Sequence, residues 1–187
     1  MKKIFKWFGI ILGVLLGLIV IALAVFFLKG SAMTNRKFTI APESITIPTD
    51  AASIERGRHF AQAICSDCHT DDLSGKVLLE APFGTIYSAN LTSGKGGTGS
   101  SFKDTDWVRA IRHGVDDQGR NLIIMPAQVF WNFNDQDLGD IIAYLKSLPP
   151  IDKEHPDPKI NVLGKILFGV GLFGPAVVPA NVIVHDQ

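Results

Sequence analysis

The feature that most constrains this 187-residue chain is the run at positions 65–69, which reads Cys-Ser-Asp-Cys-His. Cys65 and Cys68 are the only two cysteines, and His69 follows the second one directly. Three chemistries use two cysteines at this spacing: a redox-active dithiol, half of a zinc site, and covalent attachment of a haem. Each of them needs a different surrounding fold, so the choice among them decides the fold class.

The dithiol and the zinc site both lack the surroundings that they need. A thioredoxin-like dithiol belongs to a strand–helix–strand unit, and this sequence shows no such alternation. A structural disulfide over two intervening residues closes a very small loop and adds little stability. A zinc site needs a second pair of ligands, but the remaining histidines lie far apart, at positions 59, 113, 155 and 185.

Haem attachment fits the pattern directly. At the end of a helix, two intervening residues place both thiols along one edge of the porphyrin, where each adds to a vinyl group. His69 then lies under the iron as the proximal axial ligand. The sequence therefore predicts one haem c, bound covalently by Cys65 and Cys68 and ligated by His69.

Met125 is the predicted sixth ligand of this iron. It follows His69 by 56 residues, in an apolar loop and directly before Pro126, whereas the other two methionines lie at or before position 33. Proline stiffens such a loop, and a methionine–histidine pair raises the haem potential and suits electron transfer. A methionine packed in the core is the alternative, and His113 is the rival ligand.

An uncharged segment of 22 residues, Trp7–Leu28, lies near the N-terminus. As a helix it would be roughly 33 Å long, enough to cross a bilayer core of about 30 Å. Ala-Leu-Ala at 22–24 resembles a signal-peptide cleavage site, but the apolar run continues past it. We therefore predict a retained transmembrane anchor over residues 1–29.

The flanking charges do not orient this anchor, because basic residues lie on both sides of it. Covalent haem attachment takes place outside the cytoplasmic membrane. The predicted haem therefore places the N-terminus inside and residues 30–187 on the periplasmic, or extracytoplasmic, side.

The net charge of zero hides an uneven distribution. Residues 38–187 carry 12 basic and 18 acidic side chains, a net charge of −6. Nucleic acid is not expected as a partner, because phosphate contacts need clusters of Lys and Arg. Partners with basic docking faces are favoured instead.

The remaining chain divides into an extended linker at 30–48, a domain at 49–150 and an apolar tail. In the domain we expect a helix that runs from Thr49 or Asp50 into the cysteine motif, and further helices at 105–113 and 135–148. The glycine-rich stretch 71–101 reads as loop. Three short helices leave a thin apolar core, which indicates that a large apolar cofactor organises the loop.

The tail, residues 151–187, contains a charge-free run of 19 residues, Ile166–Val184. Three glycines and two prolines within it argue against a clean membrane-spanning helix. We expect the tail to lie at the membrane surface or against a partner, with a second span as the alternative.

Several sequence stretches resemble a known family. "ERGRHFAQAICSDCH", the Met-Pro loop and "DQDLGDIIAYLKSLPP" resemble a class I c-type cytochrome domain. "APFGTIYSANLT", "DTDWVRAIRHGV" and "IIAYLKSLPP" are similar to the cytochrome c subunits of bacterial membrane-bound alcohol and gluconate dehydrogenases and their single-haem relatives. The resemblance covers residues 50–150 and implies an all-α fold, with three or more helices around one covalent haem.

The resemblance also implies particular contacts within this fold. Gly57 is expected to meet an aromatic residue of the last helix, here Tyr144. The contacts to the haem ring and its propionates are expected from Asn90, Trp107 and either Arg109 or Arg112. The dehydrogenase subunits often carry three haem domains, whereas this chain has one motif and room for one haem.

These features predict a membrane-anchored, single-haem cytochrome c that relays single electrons in a respiratory chain and is not itself an enzyme. Its redox partner would be a dehydrogenase, a quinol-oxidising complex or a terminal oxidase. One alternative is a fixed electron-transfer subunit of a dehydrogenase or oxidase complex. Another is a haem-based sensor or peroxidase-like protein, which would need an open sixth position.

Overall fold

The computed structural model describes residues 2–173 and 177–183. Within these residues the α-helices are α1 (Lys2–Asn35), α2 (Ala51–Ile64), α3 (Ser66–His69), α4 (Asp104–Val108), α5 (Ala127–Phe130), α6 (Asp135–Ser147) and α7 (Val162–Val170). The strands are β1 (Val77–Ala81), β2 (Gly84–Tyr87) and β3 (Lys159–Ile160). A π-helix covers Arg109–His113, and short 3-10 helices cover Thr98–Ser100 and Ala180–Val182.

Helices α2 and α6 begin where the sequence predicts. Asp50 caps α2, because its side chain accepts a hydrogen bond from the Ser53 backbone N–H at 3.0 Å. Asn134 caps α6 in the same way, accepting from the Asp137 N–H at 2.7 Å. Both caps satisfy backbone donors that the first turn of a helix leaves free.

The two capped helices cross at Gly57. A Cβ atom at this position would overlap the Asp140 carbonyl and lie 3.0 Å from the Ile141 nitrogen, so only glycine allows the contact. The predicted close approach of another helix is thus confirmed. The three nearest atoms belong to the α6 backbone, and the contact with the Tyr144 ring that the resemblance implied stays a prediction.

A buried core lies between α2, α6 and the segment formed by α4 and the π-helix. It consists of Ala61, Leu73, Trp107, Val108, Ile111, Leu138, Ile141, Ile142 and Leu145. The apolar stripe of α6 supplies four of these residues, as its helical periodicity predicts.

The predicted helix over 105–113 changes its geometry halfway. It begins at Asp104, with Lys103 at the cap position, where the Lys103 N–H donates to the Asp106 carboxylate at 2.9 Å. From Arg109 it continues as a π-helix and ends at Gly114, which adopts the left-handed conformation at φ 68° as a stop signal requires. The wider π turn changes the direction of the side chains that follow.

The expectation of an all-α domain needs correction. The stretch 71–101 contains an antiparallel hairpin of β1 and β2, and β3 pairs with β2 to complete a three-stranded sheet. Valine, isoleucine and tyrosine favour strands, but the surrounding glycines masked this signal. The domain is therefore mostly helical with a small sheet.

Helix α1 is long and apolar enough to cross a membrane by length and composition. It continues to Asn35, so the first six residues of the predicted linker are helical, and the remainder has no regular secondary structure apart from an isolated bridge at Lys37. Helix α7 packs against its C-terminal part, and Gly171 ends α7 in the left-handed conformation. The predicted run Ile166–Val184 is thus not one continuous helix, although residues 174–176 and 184–187 lie outside the described part.

Candidate functional site

The cysteine motif is built by the end of α2 and the single turn of α3. The Cys65 N–H donates to the Ala61 carbonyl at 2.8 Å, and the His69 N–H donates to the Cys65 carbonyl at 2.8 Å. The motif therefore stays helical, as haem attachment requires, until Thr70 leaves this geometry at φ 72°. Both cysteines and His69 line the same cavity.

This cavity has a volume of about 890 Å³, within the range of cofactor sites. Its walls include the apolar side chains Ile64, Leu91, Phe102, Ile111, Phe130 and Leu145. They come from α2, the loop before α4, the π-helix, α5 and α6. The predicted organising role of a large apolar cofactor agrees with such walls.

The orientation of His69 leaves one ring nitrogen available to a metal. Its Nδ1 lies 2.8 Å from the Ala89 carbonyl oxygen, which can only accept, so Nδ1 carries the proton. Loss of water lowers the pKa of His69 below its usual value, and the nearby His155 lowers it further. A neutral imidazole with a fixed tautomer presents the lone pair of Nε2, as axial ligation requires.

The two thiols are partly buried and form no disulfide. Burial, followed by the neighbouring Cys68, raises the pKa of the Cys65 thiol to about 11. Because the thiolate is the form that attacks disulfides and binds zinc, Cys65 is poorly suited to either role. A thioether bond to a haem vinyl group removes the thiol altogether and suits this apolar surrounding.

Met125 lines the same cavity as His69 and packs against the core. Its backbone is held in a tight turn, because its N–H donates to the Leu122 carbonyl and its carbonyl accepts from the Ala127 N–H, both at 2.9 Å. His113, the rival ligand, is absent from the described cavity lining, and its Nδ1 lies 2.8 Å from the Val178 carbonyl. Of the two candidates, the fold brings Met125 to the cavity.

Trp107 provides a test of whether a haem fits. Its side chain is 2% exposed and lines the cavity, with the ring edge-on to Phe102 at 5.2 Å. Among the described residues its Nε1–H has no hydrogen-bond acceptor. An unpaired buried donor costs about 1–3 kcal/mol. A carboxylate such as a haem propionate could accept a hydrogen bond from this N–H and remove that cost.

Asn90 also lines the cavity, but its amide is engaged within the protein. Its Nδ2 donates to the Ile151 carbonyl at 2.7 Å and to the Lys153 carbonyl at 3.2 Å, and its Oδ1 accepts from Thr92. Asn90 therefore ties the cavity loop to the segment after α6. A contact with the haem ring stays a prediction.

Arg109 and Arg112 do not reach the described cavity lining. Arg109 donates to the Asp116 carbonyl at 3.0 Å and pairs with Asp106. Arg112 pairs with Glu43 and Asp135 and donates to a backbone carbonyl. Both side chains are thus engaged with carboxylates of the protein itself, and the expected contact of either arginine with a haem propionate stays a prediction.

Sequence reasoning missed the segment 151–158 at the edge of the cavity. The His155 ring stacks on Tyr87 with 5.8 Å between centroids, and its Nε2 lies 2.9 Å from the Ser74 carbonyl. Lys153 donates to the Gly75 carbonyl at 2.6 Å. No local signal marks these contacts, because Ser74 and Gly75 precede their partners by 81 and 78 residues.

The arrangement can hold one large, flat, apolar group that contains a metal. Two thiols can bond to it, the Nε2 of His69 and the thioether of Met125 can ligate the metal, and the Trp107 donor can bind a peripheral carboxylate. This set of donors is consistent with a covalently bound haem c.

A comparison with protein families agrees with this geometry. The profile of the family described as cytochrome c matches residues 54–149, about half of the chain. This range contains the cysteine motif, the Met-Pro turn and α6.

Individual relatives are named as parts of dehydrogenases. The chain is 37% identical over 112 residues to one of the subunits of the nicotinate dehydrogenase of Pseudomonas putida, which covers 57% of this chain and 9% of that protein. It is 29% identical over 140 residues to the fructose dehydrogenase cytochrome subunit of Gluconobacter japonicus, 68% of this chain and 29% of the relative. It is 30% identical over 137 residues to the gluconate 2-dehydrogenase cytochrome c subunit of Pantoea cypripedii, which covers 67% of this chain and 31% of the relative. The chain thus spans less than a third of the length of these relatives.

Proposed function

The chain belongs to the cytochrome c family, and on that premise we propose that it is a membrane-anchored, single-haem carrier of single electrons. The observation that carries the proposal is the convergence of Cys65, Cys68, His69 and Met125 on one apolar cavity. In this proposal α1 is a retained anchor with its N-terminus in the cytoplasm. The haem domain then lies on the periplasmic face of the cytoplasmic membrane.

Each residue of the cavity has a defined task. When bound, the haem supplies a reversible one-electron change at its iron. Cys65 and Cys68 hold the ring edge, and the carbonyl of Ala89 keeps the His69 imidazole in the tautomer that ligates. Met125 closes the sixth position and raises the potential relative to a second nitrogen ligand.

Covalent attachment is tested by haem staining of a denaturing gel. The wild-type band should keep its haem, and replacement of both cysteines, Cys65→Ala with Cys68→Ala, should abolish the stain. A wild-type protein that loses its haem on denaturation would refute the proposal.

The sixth ligand is tested by the long-wavelength absorption band of the iron–methionine bond in the oxidised protein. Met125→Ala should remove this band, whereas the control His113→Ala should keep it, because His113 is hydrogen-bonded to Val178 outside the cavity. The opposite pattern would show that His113 is the ligand.

A second candidate function is a fixed electron-transfer subunit of a dehydrogenase complex. The names of the relatives favour it, since each is a subunit of a dehydrogenase. Purification in mild detergent, followed by mass spectrometry, distinguishes the two: a stoichiometric dehydrogenase subunit supports the complex, and a monodisperse single chain supports the tethered carrier. A sensor or peroxidase-like role would require an iron that Met125 does not ligate.

A further inference from the structure

We propose that α7 and the turn after it form a membrane foot, which enters the outer leaflet beside α1 and holds the haem domain in one orientation. We use the name membrane foot for residues 162–173. The proposal deepens the function proposed above, because it rests on α1 being a retained anchor. Its partner is a lipid surface.

Helix α7 is packed tightly against the C-terminal part of α1. A Cβ on Gly30 would overlap the Lys165 carbonyl, and a Cβ on Gly169 would overlap the Phe26 carbonyl. The backbones therefore touch, as in helix pairs within membranes, where small residues permit close approach. Lys165 contacts Gly30, and Gly169, four residues later, contacts Phe26, four residues earlier in α1. Helix α7 therefore runs antiparallel to α1 and toward the membrane.

The charges of the two helices define the level of the membrane surface. Lys165, the one charged residue of α7, meets Gly30, the neighbour of Lys29 at the end of the uncharged segment. Its Nζ lies 5.7 Å from the centre of the Phe27 ring. Lysine at this level can keep its ammonium group among the lipid headgroups while its stem stays in apolar surroundings.

The residues of the foot beyond Lys165 are uncharged, and those from Val170 to Leu172 are exposed, whereas Phe168 and Gly169 are buried. Val170 is 57% and Leu172 is 65% exposed, and both follow Gly169, which lies beside Phe26 of the uncharged segment. This exposed apolar surface is continuous with the lipid-facing surface of α1 itself. Lipid is therefore the occupant that the geometry favours.

The chain then returns to the haem domain. Gly171 ends α7 at φ 93°, and further on the Val178 N–H donates to the His113 carbonyl at 3.1 Å. The Val178 carbonyl in turn accepts from His113 Nδ1 at 2.8 Å. Because the foot is attached to the domain on both sides, a foot held in lipid restricts rotation of the whole domain.

The orientation of the haem domain determines how far the cofactor cavity lies from the membrane. Thr34 and Asn35 of α1 and Lys165 of α7 line the cavity. Thr34 follows the end of the uncharged segment, Leu28, by six residues, roughly 9 Å of helix. The cavity thus extends to within about two helical turns of the membrane surface, and electrons would be exchanged beside the membrane.

The depth of the foot is measured with a spin label on the full-length haem protein in phosphatidylcholine–phosphatidylglycerol vesicles. Val170→Cys, and separately Leu172→Cys, provides the label site, because Cys65 and Cys68 are blocked as thioethers. The matched control is Val129→Cys on α5, which is 70% exposed and belongs to the haem domain. Collision with oxygen reports lipid, and collision with a water-soluble nickel chelate reports water.

We expect the oxygen-to-nickel ratio at Val170→Cys and Leu172→Cys to exceed that at Val129→Cys several-fold. Equal ratios at all three sites would show that the foot lies in water and would overturn the proposal. Protection from both reagents would also overturn it, because a second copy of the chain would then cover the foot.

A failure of the haem proposal would be visible separately. Cys65 and Cys68 would then be free thiols, and each chain would carry three spin labels in place of one. The depth measurement would then proceed in a Cys65→Ser, Cys68→Ser background, where the introduced cysteine is the single thiol. Dependence on the anchor is tested with Gly169→Leu, which should move the Leu172→Cys label toward water. The control Gly17→Leu, where a Cβ meets nothing within 4 Å, should not move it. An unchanged ratio in Gly169→Leu would refute a foot held by α1.

Discussion

The close contact of α2 and α6 at Gly57 allows a quantitative prediction for one substitution. This contact also matters for the haem site, because the cysteine motif directly follows α2. In Gly57→Ala the added methyl group would overlap the Asp140 carbonyl. This obstacle is helix backbone and cannot rotate away, so α2 and α6 must separate. Overpacking of this kind typically costs about 1–3 kcal/mol, and an immobile obstacle places the cost at the upper end.

A second effect opposes this cost. Alanine is about 1 kcal/mol better than glycine in a helix interior. We therefore expect Gly57→Ala to lower the free energy of unfolding by about 2 kcal/mol. With a guanidinium dependence of roughly 3 kcal/mol per molar for a domain of this size, the unfolding midpoint should fall by about 0.7 M.

The assay is guanidinium unfolding of the haem protein in detergent, followed by the visible absorption of the haem. The helix preference is measured in the same helix by comparing His59→Ala with His59→Gly, because the His59 side chain is 69% exposed. If Gly57→Ala is as stable as the wild type, or gains the His59 alanine–glycine difference, the close contact with Asp140 does not exist and the reasoning fails.

Three further predictions concern the charges of the domain. Arg56, whose side chain is 46% exposed, pairs at 2.7 Å with Asp140, whose side chain is 1% exposed. Arg56→Gln should lower the guanidinium midpoint, because it leaves a buried carboxylate without its partner. Arg58→Gln breaks an exposed pair with Glu55 and should lower the midpoint less; equal shifts would contradict a stabilising role of the Arg56–Asp140 pair. Hydrogen bonds, first of all from the Thr70 hydroxyl, lower the pKa of Asp72 from 3.8 to about 2. The ionised carboxylate therefore stabilises the fold above pH 3.8 and loses this effect as the pH falls through 2. The thermal midpoints of the wild type and of Asp72→Asn should differ at pH 7 and converge near pH 2. A difference that stays constant with pH would refute this stabilising role. Stopped-flow electron transfer to a basic acceptor should slow as the Debye length falls from about 30 Å at 0.01 M salt to about 10 Å at 0.1 M, because residues 38–187 carry a net charge of −6. Rates that do not change with salt for either a basic or an acidic acceptor would exclude electrostatic steering.

The parts of the fold that sequence reasoning predicted well depend on neighbours in the chain. Asp50 and Asn134 cap helices because each side chain reaches a backbone N–H three residues later. Cys65, Cys68 and His69 share one helical turn, so their spacing alone predicts how they meet a haem. Met125 was chosen because the other two methionines lie at or before position 33; it lines the cavity, and its ligation of the iron stays a prediction.

The expectations that failed concern helix geometry and distant strand pairing. The π-helix directs Arg109 to the Asp116 carbonyl and Arg112 to Asp135, whereas helical periodicity alone assumes a regular α-helix. Strand β3 pairs with β2 from more than seventy residues further along the chain. A two-residue strand has no periodicity of its own to predict it.

The sequence by itself determined the family of the domain, through the cysteine–histidine motif, and showed an apolar segment long enough to span a bilayer. These properties follow from residue identity and from contacts within one or two helical turns. Only the tertiary structure decided that Lys153 and His155 bond to the carbonyls of Gly75 and Ser74, that the buried Nε1–H of Trp107 has no acceptor among the described residues, and that α7 packs on α1. Each of these depends on the path of the chain over many tens of residues, where loop closure rather than local preference determines which groups meet.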